Sequence, residues 1–194
     1  MAQIAAELFR VCLIGPESTG KSELAARLAA HYGTVAVPEH AREYALRAGR
    51  ELTFDDVSPI GAGQLDGERR LAPLARRLLI LDTDLVSTAV YSRHHYQRAP
   101  EWIEREAALR LAGLYLLLDI DVPWHPDPAR SAGPTREALF TAFRDTLESH
   151  GARYEVIRGS WPDREQQAIA AIDRALAEYC RRPGSSAAPH ALPE

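Results

Sequence analysis

Lysine is nearly missing from this 194-residue chain: 22 of its 23 basic residues are arginine, and the single lysine is Lys21. A general preference for arginine accounts for the other positions. A site that keeps lysine against that preference calls for a compact, mobile ammonium where a planar guanidinium does not fit. Cysteine is equally scarce. Cys12 and Cys180 make no disulfide framework, and Cys12, inside an apolar run, reads as a buried thiol with no metal or redox role. No apolar run approaches the length of a membrane span, and the N-terminus lacks the apolar stretch of a signal peptide. A formal net charge of -4 gives no general attraction to nucleic acid or to an anionic membrane. These absences lead us to expect a cytoplasmic protein with no nucleic-acid or membrane partner, and they leave the oligomeric state open.

What is present suits a globular domain. Hydrophobic residues make up 46% and charged residues 26%, in a length that can bury a substantial core. We read one domain over residues 1–180 and a disordered tail, rich in Pro, Ser and Ala, over 181–194. Apolar runs predict strands at 8–14, 34–37, 78–81, 114–118 and 154–157. Helical patterns lie between them at about 20–31, 39–48, 54–77, 84–95 and 101–111, then after Pro134 as far as Gly151. A last helix is capped by Ser160 and carries Ile169, Ile172, Leu176 and Tyr179 on one stripe. Residues 122–134 hold four prolines and read as a loop. Strands alternating with helices predict an α/β fold, with a five-stranded, mostly parallel sheet covered on both faces. Ligands of such folds gather at the carboxyl ends of the strands.

Those strand ends carry the chemistry. Residues 15–22, Gly15-Pro16-Glu17-Ser18-Thr19-Gly20-Lys21-Ser22, fit the phosphate-binding P-loop pattern between a strand and a helix. Backbone N–H groups opened by the two glycines point inward round an anion, and the helix that follows adds its partial positive charge. Lys21 would bridge the terminal phosphates of ATP, and the Ser22 hydroxyl would ligate Mg2+. Asp82 closes the third apolar run, where a carboxylate holds a Mg2+-bound water or accepts a hydroxyl proton. Asp84 would face the same way if the strand continued; alternatively it caps the next helix. Glu39 ends the second strand, and it either orients an acceptor hydroxyl or simply favours a helix start. Arg130 and Arg136 flank the proline-rich loop, where an arginine can neutralise a transferred phosphoryl group. Tyr91, Tyr96, Trp102 and Trp124 offer faces for a flat ring, with core or edge packing the commoner use of each. The arginines at 69, 70, 76 and 77 read as a solvated face, and adjacent His94 and His95 lack the spacing of a shared metal site.

The runs GPESTGKSELAARLA, PEHAREYALRAG, IGAGQ (60–64), LDTDLVSTAVYS (81–92) and LYLLLDIDVPWHPDPAR (114–130) together resemble the ribosylnicotinamide kinase domain of NadR-type proteins, over about residues 10–175. The resemblance implies a P-loop nucleoside kinase fold, with ATP and Mg2+ as cofactors. It also implies phosphorylation of nicotinamide riboside to nicotinamide mononucleotide in NAD salvage. Under it residues 15–22 bind ATP and Mg2+, and Glu39, Arg42, Asp82 and Asp84 lie round the riboside. Trp124 and Arg130 then belong to a lid region. NadR-type proteins often carry a DNA-binding element and a nucleotidyltransferase domain ahead of the kinase. About seven residues precede the first strand here, and no HxGH-like signature occurs. Repression and adenylyl transfer are therefore not expected. The remaining alternatives are a kinase acting on another nucleoside or vitamin, and a regulatory ATPase module without a small-molecule acceptor.

Overall fold

The computed structural model describes residues 8–123 and 136–181. Five parallel strands, β1 (Phe9–Ile14), β2 (Ala36–Val37), β3 (Leu78–Asp82), β4 (Leu114–Leu118) and β5 (Tyr154–Ile157), lie in the order β2-β3-β1-β4-β5. The order places β1 at the centre and reverses on either side of it, the arrangement that opens a crevice at the carboxyl edge. Seven helices follow the strands among the described residues: α1 (Lys21–His31), α2 (His40–Ala48), α3 (Phe54–Leu71), α4 (Leu85–Tyr96), α5 (Glu101–Leu109), α6 (Arg136–Ser149) and α7 (Trp161–Cys180). None of the described helices is long and apolar enough to cross a membrane.

Alternation along β1 divides the interior into two cores. Phe9, Val11 and Leu13 pack with Leu24 and Leu28 of α1 and with Ala168 and Ile172 of α7. Cys12 and Ile14 point the other way, toward Val57 of α3, Val86 of α4, Ile103 of α5 and Phe143 of α6. Successive strand residues face opposite sides, so a strand covered on both faces reads as one unbroken apolar run. Tyr115 is the exception within β4. It is fully buried, and its hydroxyl finds a carboxylate, as a buried phenol requires.

Element boundaries depart from the sequence expectation in two informative places. The helix expected over 54–77 ends at Leu71 and tightens into a short 3-10 turn, Ala72–Leu74, because Pro73 has no N–H to continue the α-helical ladder. The third strand runs one residue further than expected, to Asp82. The tail expected over 181–194 lies, from residue 182 on, outside the described residues.

Asp56 holds the entrance to α3. Its carboxylate accepts from the Thr53 N–H at 2.8 Å, from the Tyr44 hydroxyl at 2.9 Å and from both Arg50 nitrogens at 2.8 Å. The Arg50 guanidinium and the Thr53 N–H outweigh burial and hold this carboxyl well below the usual carboxylate range. A depressed acid contributes stability above its unfolded value of about 3.9 and loses it as the pH falls through that value and below. Asp56→Asn should therefore cost about 1 to 2 kcal/mol at pH 7, the low end of that range reflecting the exposure of Arg50. The cost should shrink at pH 3, as read by urea unfolding at the two pH values. An equal cost at both would remove the ion pair from the account.

Candidate active site

The phosphate loop joins the central strand to α1. Gly15 takes a φ of 137°, and a Cβ there would lie 2.9 Å from the Leu118 carbonyl oxygen at the end of β4. Gly20 takes a φ of 87°, and a Cβ there would lie 2.6 Å from the Trp161 ring at the start of α7. Both glycines are thus required by left-handed backbone and by close neighbours. Thr19 braces the loop internally, its hydroxyl donating to the Pro16 carbonyl at 2.8 Å. Lys21 is 5% exposed, and its Nζ donates to the Gly15 and Pro16 carbonyls at 2.8 and 2.7 Å. The ammonium is thereby folded back across the mouth of the loop. Ser22 stands exposed in the first turn of α1.

Glu17 is a carboxylate set into the loop itself. It is 2% exposed, and one oxygen accepts from the Tyr91 hydroxyl at 3.0 Å. Its other oxygen is buried without a hydrogen-bond partner among the described residues. The Tyr91 ring packs edge-on to Phe143 and parallel to His95. Burial and the neighbouring His94 push the His95 imidazole below its usual value, against a weaker pull from Glu17.

Strand register sets the two remaining carboxylates beside the loop. Asp82 pairs with Leu13, two residues before Gly15, and the Thr83 N–H donates to the Leu13 carbonyl at 3.1 Å. Val37 pairs with Leu81, so Glu39 leaves β2 one strand further along the same edge. Asp82 is 4% exposed and Glu39 is half-buried. Glu39 occupies the N-cap position of α2, and its side chain makes no capping hydrogen bond. Arg42 lies exposed in the first turn of α2.

Asp84 does not share the direction of Asp82. Thr83 adopts a left-handed φ of 72°, which breaks the strand alternation on which a common facing depended. Asp84 instead caps α4, accepting from the Val86 and Ser87 N–H groups at 2.9 and 3.3 Å, and its second oxygen accepts from the Tyr115 hydroxyl at 2.7 Å. Burial pushes its carboxyl up, opposed by those same donors. Glu68 on α3, paired with Arg10 and Arg110 at 3.9 and 3.7 Å, is likewise raised by burial and by Asp84. The α4 cap is the alternative that the sequence offers for Asp84.

Trp102 also has structural work: its indole N–H donates to the Ser58 hydroxyl at 2.9 Å and its ring covers Gly61, joining α5 to α3. Arg136, the first residue of α6, is 8% exposed. It donates through Nη1 to the Val122 carbonyl at 3.3 Å, and its Nε and Nη2 are buried without a hydrogen-bond partner among the described residues. Buried guanidinium donors in that condition suit an anion. Trp124 and Arg130 lie outside the described residues.

Sequence reasoning passed over Arg164, in the first turn of α7. At 1% exposure it is the largest fully buried side chain among the described residues. Its guanidinium donates to the Thr19 carbonyl in the phosphate loop at 3.1 Å, to the Asp119 carbonyl at 3.0 Å, to the Gly159 carbonyl at 3.0 Å and to the Asp121 carboxylate. The Gly159 N–H and this guanidinium overcome burial and hold the Asp121 carboxyl below its usual value. Trp161, three residues earlier, lies on Gly20 and under the Arg27 guanidinium at 5.8 Å. A buried arginine in a chain with 22 of them carries no local mark; only the fold reveals it.

Comparison with known proteins agrees with this geometry. The family model described as AAA domain matches residues 10–164. The trifunctional NAD biosynthesis/regulator protein NadR of Salmonella typhimurium is 28% identical over 150 residues, which cover 74% of this chain and 37% of that protein. The chain thus spans little more than a third of that relative's length. A crystal structure of a NadR protein in complex with NR superposes with a TM-score of 0.71 at 23% identity, over 88% of this chain and 52% of the other. Thymidylate kinase from Ehrlichia chaffeensis shares the fold with a TM-score of 0.63 at 14% identity, over 85% and 98% of the two chains. With a P-loop, a parallel five-stranded sheet and a family match over most of its length, the chain belongs to the AAA domain family and has the α/β fold of P-loop nucleoside kinases.

Proposed function

We propose that this protein transfers the γ-phosphoryl group of ATP to the 5′-hydroxyl of nicotinamide riboside, giving nicotinamide mononucleotide and ADP. The observation that carries the reading is the row of strand ends: phosphate loop, Asp82 and Glu39 follow one another across β1, β3 and β2. A nucleotide-hydrolysing switch needs the phosphate loop and a metal-holding carboxylate in the place of Asp82; Glu39 beyond them makes an acceptor side. The NR named for the similar NadR structure is the acceptor that the sequence resemblance also implies.

In the transfer, the riboside 5′-oxygen forms a bond to Pγ as the bond from Pγ to the β,γ-bridging oxygen breaks, and ADP leaves with that oxygen. Asp82 orients the hydroxyl and takes its proton. Glu39 holds the ribose from the β2 side, with Arg42 beside it. Lys21 leaves its two carbonyls for the β- and γ-phosphates, and Arg136 neutralises charge on the γ-phosphoryl oxygens. The donor set also fits Mg2+, a hard cation that takes oxygen ligands: the exposed Ser22 hydroxyl and the Asp82 carboxylate lie at the start of α1 and the end of β3. When bound, the ion would neutralise charge on the phosphates.

The test is a coupled ADP-release assay with purified protein, ATP and Mg2+, run against nicotinamide riboside and a panel of other nucleosides and vitamin alcohols. The expected result is turnover stimulated at least tenfold by the nicotinamide riboside over acceptor-free hydrolysis. A clear preference for another alcohol would move the reading to that acceptor, and stimulation by none would discard the kinase.

A further inference from the structure

One buried amide joins the two carboxylate-bearing strand ends. Gln64 on α3 is 2% exposed, and both ends of its side chain are engaged. Its Nε2 donates to the Thr83 carbonyl at 3.2 Å, and its Oε1 accepts from the His40 N–H at 2.9 Å. Both partners are backbone groups of fixed polarity, so the orientation of the amide is dictated. Thr83 directly follows Asp82, and His40 directly follows Glu39. Helix α3 is built to come this close. A Cβ at Gly63 would lie 2.1 Å from the His40 ring, and one at Gly67 would lie 3.3 Å from Val37. The Thr83 residue that Gln64 holds is also the one in left-handed backbone, a conformation a β-branched residue keeps only where its surroundings impose it.

We propose that Gln64 is a positioning residue for phosphoryl transfer: by bridging the backbone behind Asp82 and the backbone behind Glu39, it fixes the separation of the two carboxylates and so the alignment of the acceptor hydroxyl. The inference rests on the reading that the acceptor lies between those carboxylates. No other side chain of this length supplies one donor and one acceptor at neutral pH. Methionine has the shape and neither function, and an ionised glutamate keeps the acceptor for His40 while setting a charge against the Thr83 carbonyl. A protonated glutamate regains a donor. Burial raises a carboxyl's pKa, so Gln64→Glu should recover its function as the pH falls.

The experiment measures riboside phosphorylation, acceptor-free ATP hydrolysis and affinity for a fluorescent ATP analogue in wild type, Gln64→Met and Gln64→Glu between pH 5.5 and 8.5. Gln64→Met should lose about 10- to 100-fold in kcat for transfer, with hydrolysis and nucleotide affinity within about threefold of wild type. The activity ratio of Gln64→Glu to wild type should rise at least tenfold from the top of the pH range to the bottom. His40 and its neighbour Glu39, Asp82 and Asp84 on either side of Thr83, and Glu68 further along α3 are common to both proteins, so the ratio isolates the new carboxyl. A flat ratio, or loss of nucleotide affinity and thermal stability in step with transfer, would overturn the positioning role and leave Gln64 as packing. If Gln64→Met does not fold, the ratio for Gln64→Glu still decides. Should wild type phosphorylate no acceptor while binding nucleotide, the functional reading fails and this inference falls with it; active wild type with unaffected variants sinks this inference alone.

Discussion

Lys21→Ala lowers kcat/KM for phosphoryl transfer by about a thousandfold while the protein remains folded. The buried ammonium bonds loop carbonyls at 2.8 and 2.7 Å and belongs to neither apolar cluster, so its removal leaves both cores untouched. What the reaction loses is larger. The γ-phosphoryl group passes through a transition state with charge on its equatorial oxygens, in a site where burial strengthens each charge interaction. Lys21→Arg should rescue little of the loss, because a planar fork cannot follow a transferring group as a point charge on a flexible stem does. Steady-state kinetics beside a thermal melt check both statements. Activity of Lys21→Ala within tenfold of wild type would refute the role.

Asp82→Asn should lower kcat by about a hundredfold to ten-thousandfold with affinity for metal-free nucleotide nearly intact. The amide keeps the size of the carboxylate and so tests charge and proton acceptance rather than packing. Because Asp82 ends a fully buried strand, Asp82→Ala would confound the two. The discriminating comparison is with Asp84→Asn. Asp84 is committed to the Val86 and Ser87 N–H groups and the Tyr115 hydroxyl, so its loss should lower the melting temperature and change kcat less than tenfold. If Asp84→Asn were the catalytically dead variant and Asp82→Asn the unstable one, the assignment of the two carboxylates would be reversed.

How far these features could be read from the chain follows from where their information lies. Leu114–Leu118 and Tyr154–Ile157 were legible to the residue, because a strand covered on both faces needs only an unbroken apolar run between breakers. The phosphate loop was legible for a similar reason: its glycines, lysine and serine are contiguous, and the motif states its own geometry. Asp84 marks the boundary. Its capping role stood among the sequence alternatives, but the choice turned on one dihedral angle, that of Thr83, which no residue type announces. Gln64 and Arg164 lie beyond that boundary. Gln64 ends one of the runs that carry the resemblance and Arg164 lies in none, but the role of each comes from backbone groups 19 and 145 residues away. Side chains that recognise backbone leave no complementary residue to be noticed.

The Arg164 clamp bears on when the site exists during synthesis. The phosphate loop is made long before its supports: its Thr19 carbonyl is secured by a guanidinium 145 residues further along the chain, and its Gly20 is covered by the Trp161 indole. Contacts of such separation form late, after most of the chain's loop-closure entropy has been overcome. While the residues between loop and supports are being made, a ribosome-bound chain therefore carries the complete motif without the scaffold that shapes it, and nucleotide capture waits for the start of α7 to emerge.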